Sequence, residues 1–305
     1  QAIDLPNSVG VVETPVANIA KVQNKGIEIN LNYQGKVGKV NYAVGANLTT
    51  TANKVLETYK HIPTSGGTVE EGYSMFYYKA YKVGGIFQSD QEAEEWMKSN
   101  NDVNYTKSKI KAGDFYFKDL RGAPKNENEF YSEGSDGKID SYDMVEVGKS
   151  IPGFFYGINL SADYNGLDFS AQFTGVGDVS KYNSVKAKTF FPTEGDNVTD
   201  IVYNAWTPNN KQNEFPRLVF GDPAQNLRYS DFFFESGAYL RLQNIQLGYT
   251  LPESIYKACN NNVRNVRVYA GFSNLFTITN YTGLDPENDA YPAPKTFFMG
   301  LNAKF

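Results

Sequence analysis

The sequence predicts an all-β fold, and more narrowly a stretch of transmembrane antiparallel β-barrel with long extracellular loops. Three observations carry this. Runs of roughly ten residues alternate apolar and polar positions from one end of the chain to the other, the length that a tilted strand needs to cross a bilayer. Some of these runs are joined by tight turns and others by long connections. Aromatic residues are abundant, with 22 Tyr and 21 Phe beside 27 Gly, yet the mean hydropathy is only -0.47.

The first hairpin sets Ile27, Ile29, Leu31 and Tyr33 in alternation with Glu28, Asn30 and Asn32. A turn is expected over Gln34 to Gly38, and Val40, Tyr42, Val44, Ala46 and Leu48 then continue the apolar face. The second follows Pro152, with Tyr156, Ile158, Leu160, Ala162 and Tyr164 on one face, an Asn165-Gly166 turn, and Leu167, Phe169, Ala171 and Phe173 returning. A third pair is expected from Tyr239 to Leu251 and from Val263 to Phe276. Its apolar phase slips around Gln243 and Asn244, the mark of a bulge. The last strand runs from Thr296 to Phe305 and puts Phe297, Met299, Leu301, Ala303 and Phe305 on one face. Asp90 to Ser99 reads as a short helix in a loop. The long connections, about 52–73, 88–113, 175–215 and 281–294, favour a membrane barrel over a compact soluble domain. The opposite face of each strand is rich in Asn, Ser, Gly and Asp, as a water-filled lumen requires. A soluble β-sandwich or jelly roll with one solvated face is the other fold that periodicity allows.

Composition narrows the function. No segment reaches the roughly 20 apolar residues of a membrane helix. A net charge of -5 without a Lys/Arg cluster points away from nucleic acid. The single cysteine, Cys259, and the single histidine, His61, lie far apart in sequence and suggest no catalytic pair, so no enzyme is expected. Acidic pairs such as Glu70-Glu71 and Glu94-Glu95 read as solvated side chains. The opening residues show neither a charged segment nor an apolar one of the signal-peptide kind, and the expectation is a mature protein or a fragment of a longer one.

An ordered set of short pieces then carries a resemblance: Gly113-Asp114 with Phe117-Lys118-Asp119-Leu120, Ser135-Asp136-Gly137-Lys138-Ile139-Asp140, and Ile151-Pro152-Gly153-Phe154-Phe155-Tyr156-Gly157. Ala205-Trp206-Thr207-Pro208-Asn209-Asn210, Ser236 to Ile245, Leu247 to Pro252, Asn274-Leu275-Phe276 and Gly283 to Glu287 follow in order. Together they resemble the SusC/RagA family of TonB-dependent outer-membrane transporters over nearly the whole chain. The resemblance implies that residues 1–305 are the C-terminal part of a 22-stranded barrel, with the N-terminal plug, TonB box and early strands outside this chain. It implies active import of oligosaccharides or oligopeptides across the outer membrane of a Gram-negative bacterium. The implied partners are a SusD-like surface lipoprotein, the TonB-ExbB-ExbD complex, the barrel-assembly machinery and the remaining N-terminal portion of the transporter. Contact with the lipoprotein is expected in regions 52–73 and 175–230, and Phe305 looks like the C-terminal assembly signal. A passive porin-like barrel is the alternative outside active transport.

One acidic loop has cation-binding character. Asp136, Lys138, Asp140 and Asp143 fall at the fifth, seventh, ninth and twelfth positions of an oxygen-ligand loop around Gly137, with Lys138 contributing its carbonyl. Ser132 and Gly134 depart from the first half of that pattern, and Asp119, set apart by the stretch Gly122 to Ser135, is expected to close the site. The ion expected there is Ca²⁺ or Mg²⁺, against an acidic turn held by Asp side-chain hydrogen bonds. The aromatic clusters Tyr73, Phe76, Tyr77, Tyr78, Tyr81 and Phe232, Phe233, Phe234 read as interface anchors or as a substrate surface.

Overall fold

The computed structural model describes residues 18, 20–58, 62–64, 67–103, 109–126, 129–190, 197–256 and 265–304. His61, Cys259 and Phe305 lie outside them. The chain divides into two compact units, one made of 24–52, 152–179 and 236–305, the other of 1–23, 53–151 and 180–235. Within the span expected as one barrel portion, the first unit holds a large sheet and the second is built from 53–151 and 180–235 between its strands.

The sheet has seven strands: β1 (Glu28–Val37), β2 (Val40–Thr50), β3 (Phe154–Tyr164), β4 (Leu167–Gly177), β5 (Tyr239–Thr250), β6 (Asn265–Thr279) and β7 (Thr296–Lys304). Each pairs antiparallel with its neighbour in chain order. Because side chains alternate and the pairs keep register except at one bulge in β5, the alternation in sequence becomes two faces of opposite character. Leu31, Ala46, Ile158 and Phe173 stand in one row across β1 to β4, and Asn32, Gly45, Asn159 and Gln172 stand in the next row on the other side.

The apolar face stays open. Leu31 is 64% exposed, Leu247 57%, Met299 77% and Leu301 66%. A soluble sandwich would cover such a surface with a second sheet, whereas hydrocarbon is itself the cover for a barrel wall. Phe272 and Phe297 pair across β6 and β7 on this face with ring centres 5.1 Å apart.

The turns follow from a few backbone positions. Asn165 and Gly166 both take positive φ, 46° and 87°, as a two-residue hairpin turn with the twist of its strands demands. In the first hairpin the turn is shorter than expected: Gly38 (φ 59°) and Lys39 alone make it, and Gly35 is a strand residue. A Cβ on Gly35 would lie 2.6 Å from the Tyr42 ring, so this glycine makes room for a cross-strand aromatic and does not mark a turn. The expected bulge is present, since β4 register shifts between Gln172 and Phe173 to skip Gln243, and β5 pairs Asn244 with Ser273 but Leu242 with Phe276. Asn274, left over on β6, relieves the mismatch with a φ of 53°.

The second unit takes in most of three of the four connections expected as long loops and gives them short strands and a helix. Ile62–Thr64, Gly67–Val69, Tyr77–Ala80 and Val145–Lys149 form a four-stranded antiparallel sheet, and Val83–Ile86 pairs with Phe115–Phe117. The expected helix is α1, Asp90–Ser99. Ser89 caps it by accepting from Glu92 N–H at 3.1 Å, while the Glu92 carboxylate accepts from Gln88 N–H at 2.7 Å. Its buried side pairs Trp96 edge-on with Phe87 at 5.6 Å.

Candidate functional site

Two places gather the polar groups: the inner face of the sheet and the acidic loop of the second unit. Along the sheet, Asn32, Gly45, Asn159, Gln172, Asn244 and Ser273 form one cross-strand row, and Gln34, Ala43, Ser161, Ser170, Gln246 and Gly271 form the next. The small residues leave a trough of about 330 Å³ between the amides of Asn32, Gln34, Asn159, Gln172 and Asn244. Charge lies beyond these rows: Asp163 accepts from the Asn41 amide at 2.7 Å, and Asp168 pairs with Arg267, Oδ2 to Nε, at 2.8 Å. In the opposite direction along the strands stands Arg241. Such a wall offers neutral hydrogen-bonding groups to water or to a solute, with no reactive group among them.

In the acidic loop the structure brings Asp119 across the intervening stretch to the glycine turn. Its carboxylate accepts from Ser135 Oγ (2.9 Å), Asp136 N–H (3.1 Å) and Gly137 N–H (2.7 Å). Asp136 accepts from Lys138 N–H at 2.9 Å, and Asp140 from Tyr142 N–H at 2.8 Å, which caps a single helical turn. Asp143 is fully buried and accepts from Leu120 N–H (2.6 Å), Arg121 N–H (3.0 Å) and Asp140 N–H (2.9 Å). Burial pushes its carboxyl above the ordinary value against the opposing pull of those three donors. Each carboxylate thus holds backbone, and among the described residues no three acidic, His or Cys side chains converge on one point as a cation cage. Asp119 ties this turn to the preceding strand.

The aromatic clusters are partly interior. Tyr77, Phe115, Phe117 and Phe233 are each 1% exposed or less, and Tyr81 and Trp206 are buried beside them. Tyr77, Tyr81 and Phe233 are thus core residues of the second unit, while Tyr73, Phe76, Tyr78, Phe232 and Phe234 are half-buried around them. Glu70, read as solvated, is 2% exposed and takes the Tyr77 hydroxyl at 2.6 Å and the Lys79 ammonium at 3.2 Å. Two further buried ion pairs, Arg217 with Asp114 at 2.7 Å and Arg228 with Asp102 at 2.9 Å, connect segments more than a hundred residues apart in sequence. Burial in that core also lowers the Lys186 ammonium, whose Nζ lies 3.7 Å from the centre of the Phe232 ring.

No family model matches the chain. Among curated proteins it is 26% identical over 334 residues to TonB-dependent receptor P3 of Formosa agariphila, covering 99% of this chain and 30% of that protein. It is 25% identical over 301 residues to TonB-dependent receptor SusC of Bacteroides thetaiotaomicron, covering 94% of this chain and 27% of SusC. Among solved structures, the RagAB peptide importer in its open-open state superposes on all of this chain and on 31% of its own, with a TM-score of 0.74 at 21% identity. The chain therefore spans about 30% of the length of the relatives it matches. The seven-stranded wall, its open apolar face and its match to a transporter barrel make it a section of transmembrane antiparallel β-barrel. Over nearly its whole length the chain is thus similar to TonB-dependent receptors, SusC among them, and it shares the fold of the matching part of the RagAB structure.

Proposed function

We propose that this chain belongs to a transporter that imports oligosaccharides or oligopeptides across the outer membrane of a Gram-negative bacterium, as the SusC-like component of a SusCD-type complex. The observation that carries the reading is the two-faced sheet: an exposed apolar side suited to lipid, and an inner side of neutral amides and hydroxyls suited to a wetted lumen. The names of the curated relatives support TonB dependence, and RagAB, a peptide importer, supports the transport class. In this reading a SusD-like lipoprotein caps the barrel from outside, the TonB-ExbB-ExbD complex supplies energy through the N-terminal portion, and the barrel-assembly machinery inserts the strands into the outer membrane. Deleting the full-length gene and following growth and uptake on panels of glycans and peptides tests it. Uptake of one panel should fall, and should fall equally when tonB is deleted. Uptake that persists without TonB would establish a passive pore instead.

The acidic loop carries a second reading, a bound Ca²⁺ or Mg²⁺ held by Asp119, Asp136, the Lys138 carbonyl, Asp140 and Asp143. Its support is the approach of Asp119 to Asp136 and Gly137, which brings the missing carboxylate to the loop. It requires the carboxylates to share or release the backbone groups that they accept from now. Metal analysis of the purified full-length protein before and after chelation decides it, and the absence of a stoichiometric divalent ion overturns it.

A further inference from the structure

The segment between β6 and β7, residues 280–295, lies where a long loop is expected, and its hydrogen bonds describe something else. Asp289 accepts from Leu284 N–H at 3.1 Å and from the Tyr281 hydroxyl, and Asn288 accepts from Ala290 and Tyr291 N–H at 3.0 and 3.2 Å. Asp285 accepts from Glu287 N–H at 2.8 Å and from Ala293 N–H at 3.2 Å, so it ties the two ends of the segment together. Pro286, Pro292 and Pro294 restrict the backbone between these ties.

This knitted segment meets the sheet at its ends, where Tyr281 N–H donates to Thr279 Oγ1 at 3.1 Å and Asn274 Nδ2 donates to Pro294 O at 3.1 Å, and at its middle through Arg241. Arg241 on β5 stands on the polar face in the row of Thr174 and Thr277. Its Nη2 donates to both oxygens of Asp285 at 2.8 and 2.9 Å, its Nη1 to Glu287 Oε2 at 2.6 Å, and its Nε to Thr277 Oγ1 at 3.0 Å. The Tyr239 ring packs 5.1 Å from the guanidinium carbon. The Arg241 side chain is 6% exposed and that of Asp285 9%, so the pair is shielded from the solvent and salt that weaken surface ion pairs.

We propose that Arg241 is a positioning residue that folds segment 281–293 back against the inner face of the wall and holds it there as a fixed strap. The planar guanidinium engages two carboxylates and a hydroxyl at once, which a lysine ammonium on a flexible stem does not reproduce. The strap presents Leu284 and Tyr291, 66% and 77% exposed, from a backbone tied by the hydrogen bonds of Asp285, Asn288 and Asp289. The middle of the strap is held by this buried Arg241 cluster, between the ties at its two ends.

The test uses the full-length transporter, freed of native cysteines, with Tyr291→Cys carrying a nitroxide spin label. With Arg241 intact the label should be strongly immobilised. Arg241→Gln should shorten its correlation time by about an order of magnitude, into the range of free loop motion. Asp285→Asn, which leaves the wall strand untouched, should do the same, and Arg241→Lys should fail to restore the immobile state. The double variant Arg241→Gln/Asp285→Asn should be no more mobile than either single variant, because both remove one contact. Heat-modifiable migration on gels confirms that each barrel is closed. A label already mobile beside an intact Arg241, or one that stays immobilised in Arg241→Gln and in Asp285→Asn, overturns the proposal.

Discussion

Asp143 and Asp285 show how a single carboxylate organises a loop. Asp143 collects three backbone N–H groups while fully buried, so Asp143→Ala leaves donors of Leu120, Arg121 and Asp140 without their acceptor. Each buried donor left unpaired costs about 1–3 kcal/mol, and the acidic loop should open to protease well before the sheet does. Limited proteolysis with mass mapping checks this, and a cleavage pattern like that of the parent would contradict it. Asp285 gives a pH prediction. Burial raises its carboxyl, but hydrogen bonds from Glu287 N–H, Arg241 and Ala293 N–H outweigh that and hold it below the ordinary value. A depressed acid contributes stability above its unfolded value, roughly pH 4, and loses it as pH falls through the lower folded value. Glu287, Thr277 and Tyr239 contact the same Arg241 guanidinium, and the Asp289 carboxylate accepts from Asp285 N–H. The nitroxide at position 291 should therefore stay immobile down to about pH 4 and loosen only below it, within the range where aspartates with ordinary values are already protonated. Release near neutrality would show that Asp285 does not carry the contact.

A strand in this sheet has two sides with different tolerances. Ile158 and Asn159 are adjacent on β3, yet Ile158 stands in the row of Leu31, Ala46 and Phe173 while Asn159 stands beside Gly45 and Gln172. Ile158→Arg should cost about 2–4 kcal/mol if that row meets the hydrocarbon at mid-depth, and Asn159→Arg should show no comparable loss. Urea titration of the full-length protein folded into lipid vesicles measures both, and equal losses would remove the assignment of faces. The same period of two made these strands readable without a structure, down to the slip at Gln243. The turn at Gly38 was misplaced because Gly35 suits a turn as well as it suits the space under Tyr42. The second unit was not legible as a fold. Its strands are mostly two to five residues long, too short for alternation to declare itself, and its core rings come from segments as distant as Tyr77 and Phe233. The acidic loop lies between these cases. Its residues were identifiable, but the use of their carboxylates on backbone N–H groups depends on Asp119 returning to Gly137, a tertiary contact that spacing does not encode.

For the molecule as a whole, the decisive feature is that the sheet has two outer strands. Among the described residues β1 and β7 each hydrogen-bond within this sheet on one side only. In water an unpaired edge is tolerated, but in hydrocarbon every unpaired N–H and C=O costs free energy with no solvent to relieve it, which is why membrane strands occur in closed barrels. An open wall with this apolar face suits neither solvent alone: water opposes the exposed Leu31, Met299 and Leu301, and lipid opposes the edges. The 305-residue chain produced by itself should therefore be unable to reach a monodisperse state in plain buffer. In detergent micelles it should acquire β structure yet stay sensitive to protease until the remaining portion of the transporter is refolded with it, when the strands should become resistant together. Light scattering in buffer and trypsin resistance in micelles, with and without that portion, measure the two halves of the expectation. A protease-resistant monomer in plain buffer would mean that another layer of this chain covers the apolar face, and would return the soluble sandwich as the better account.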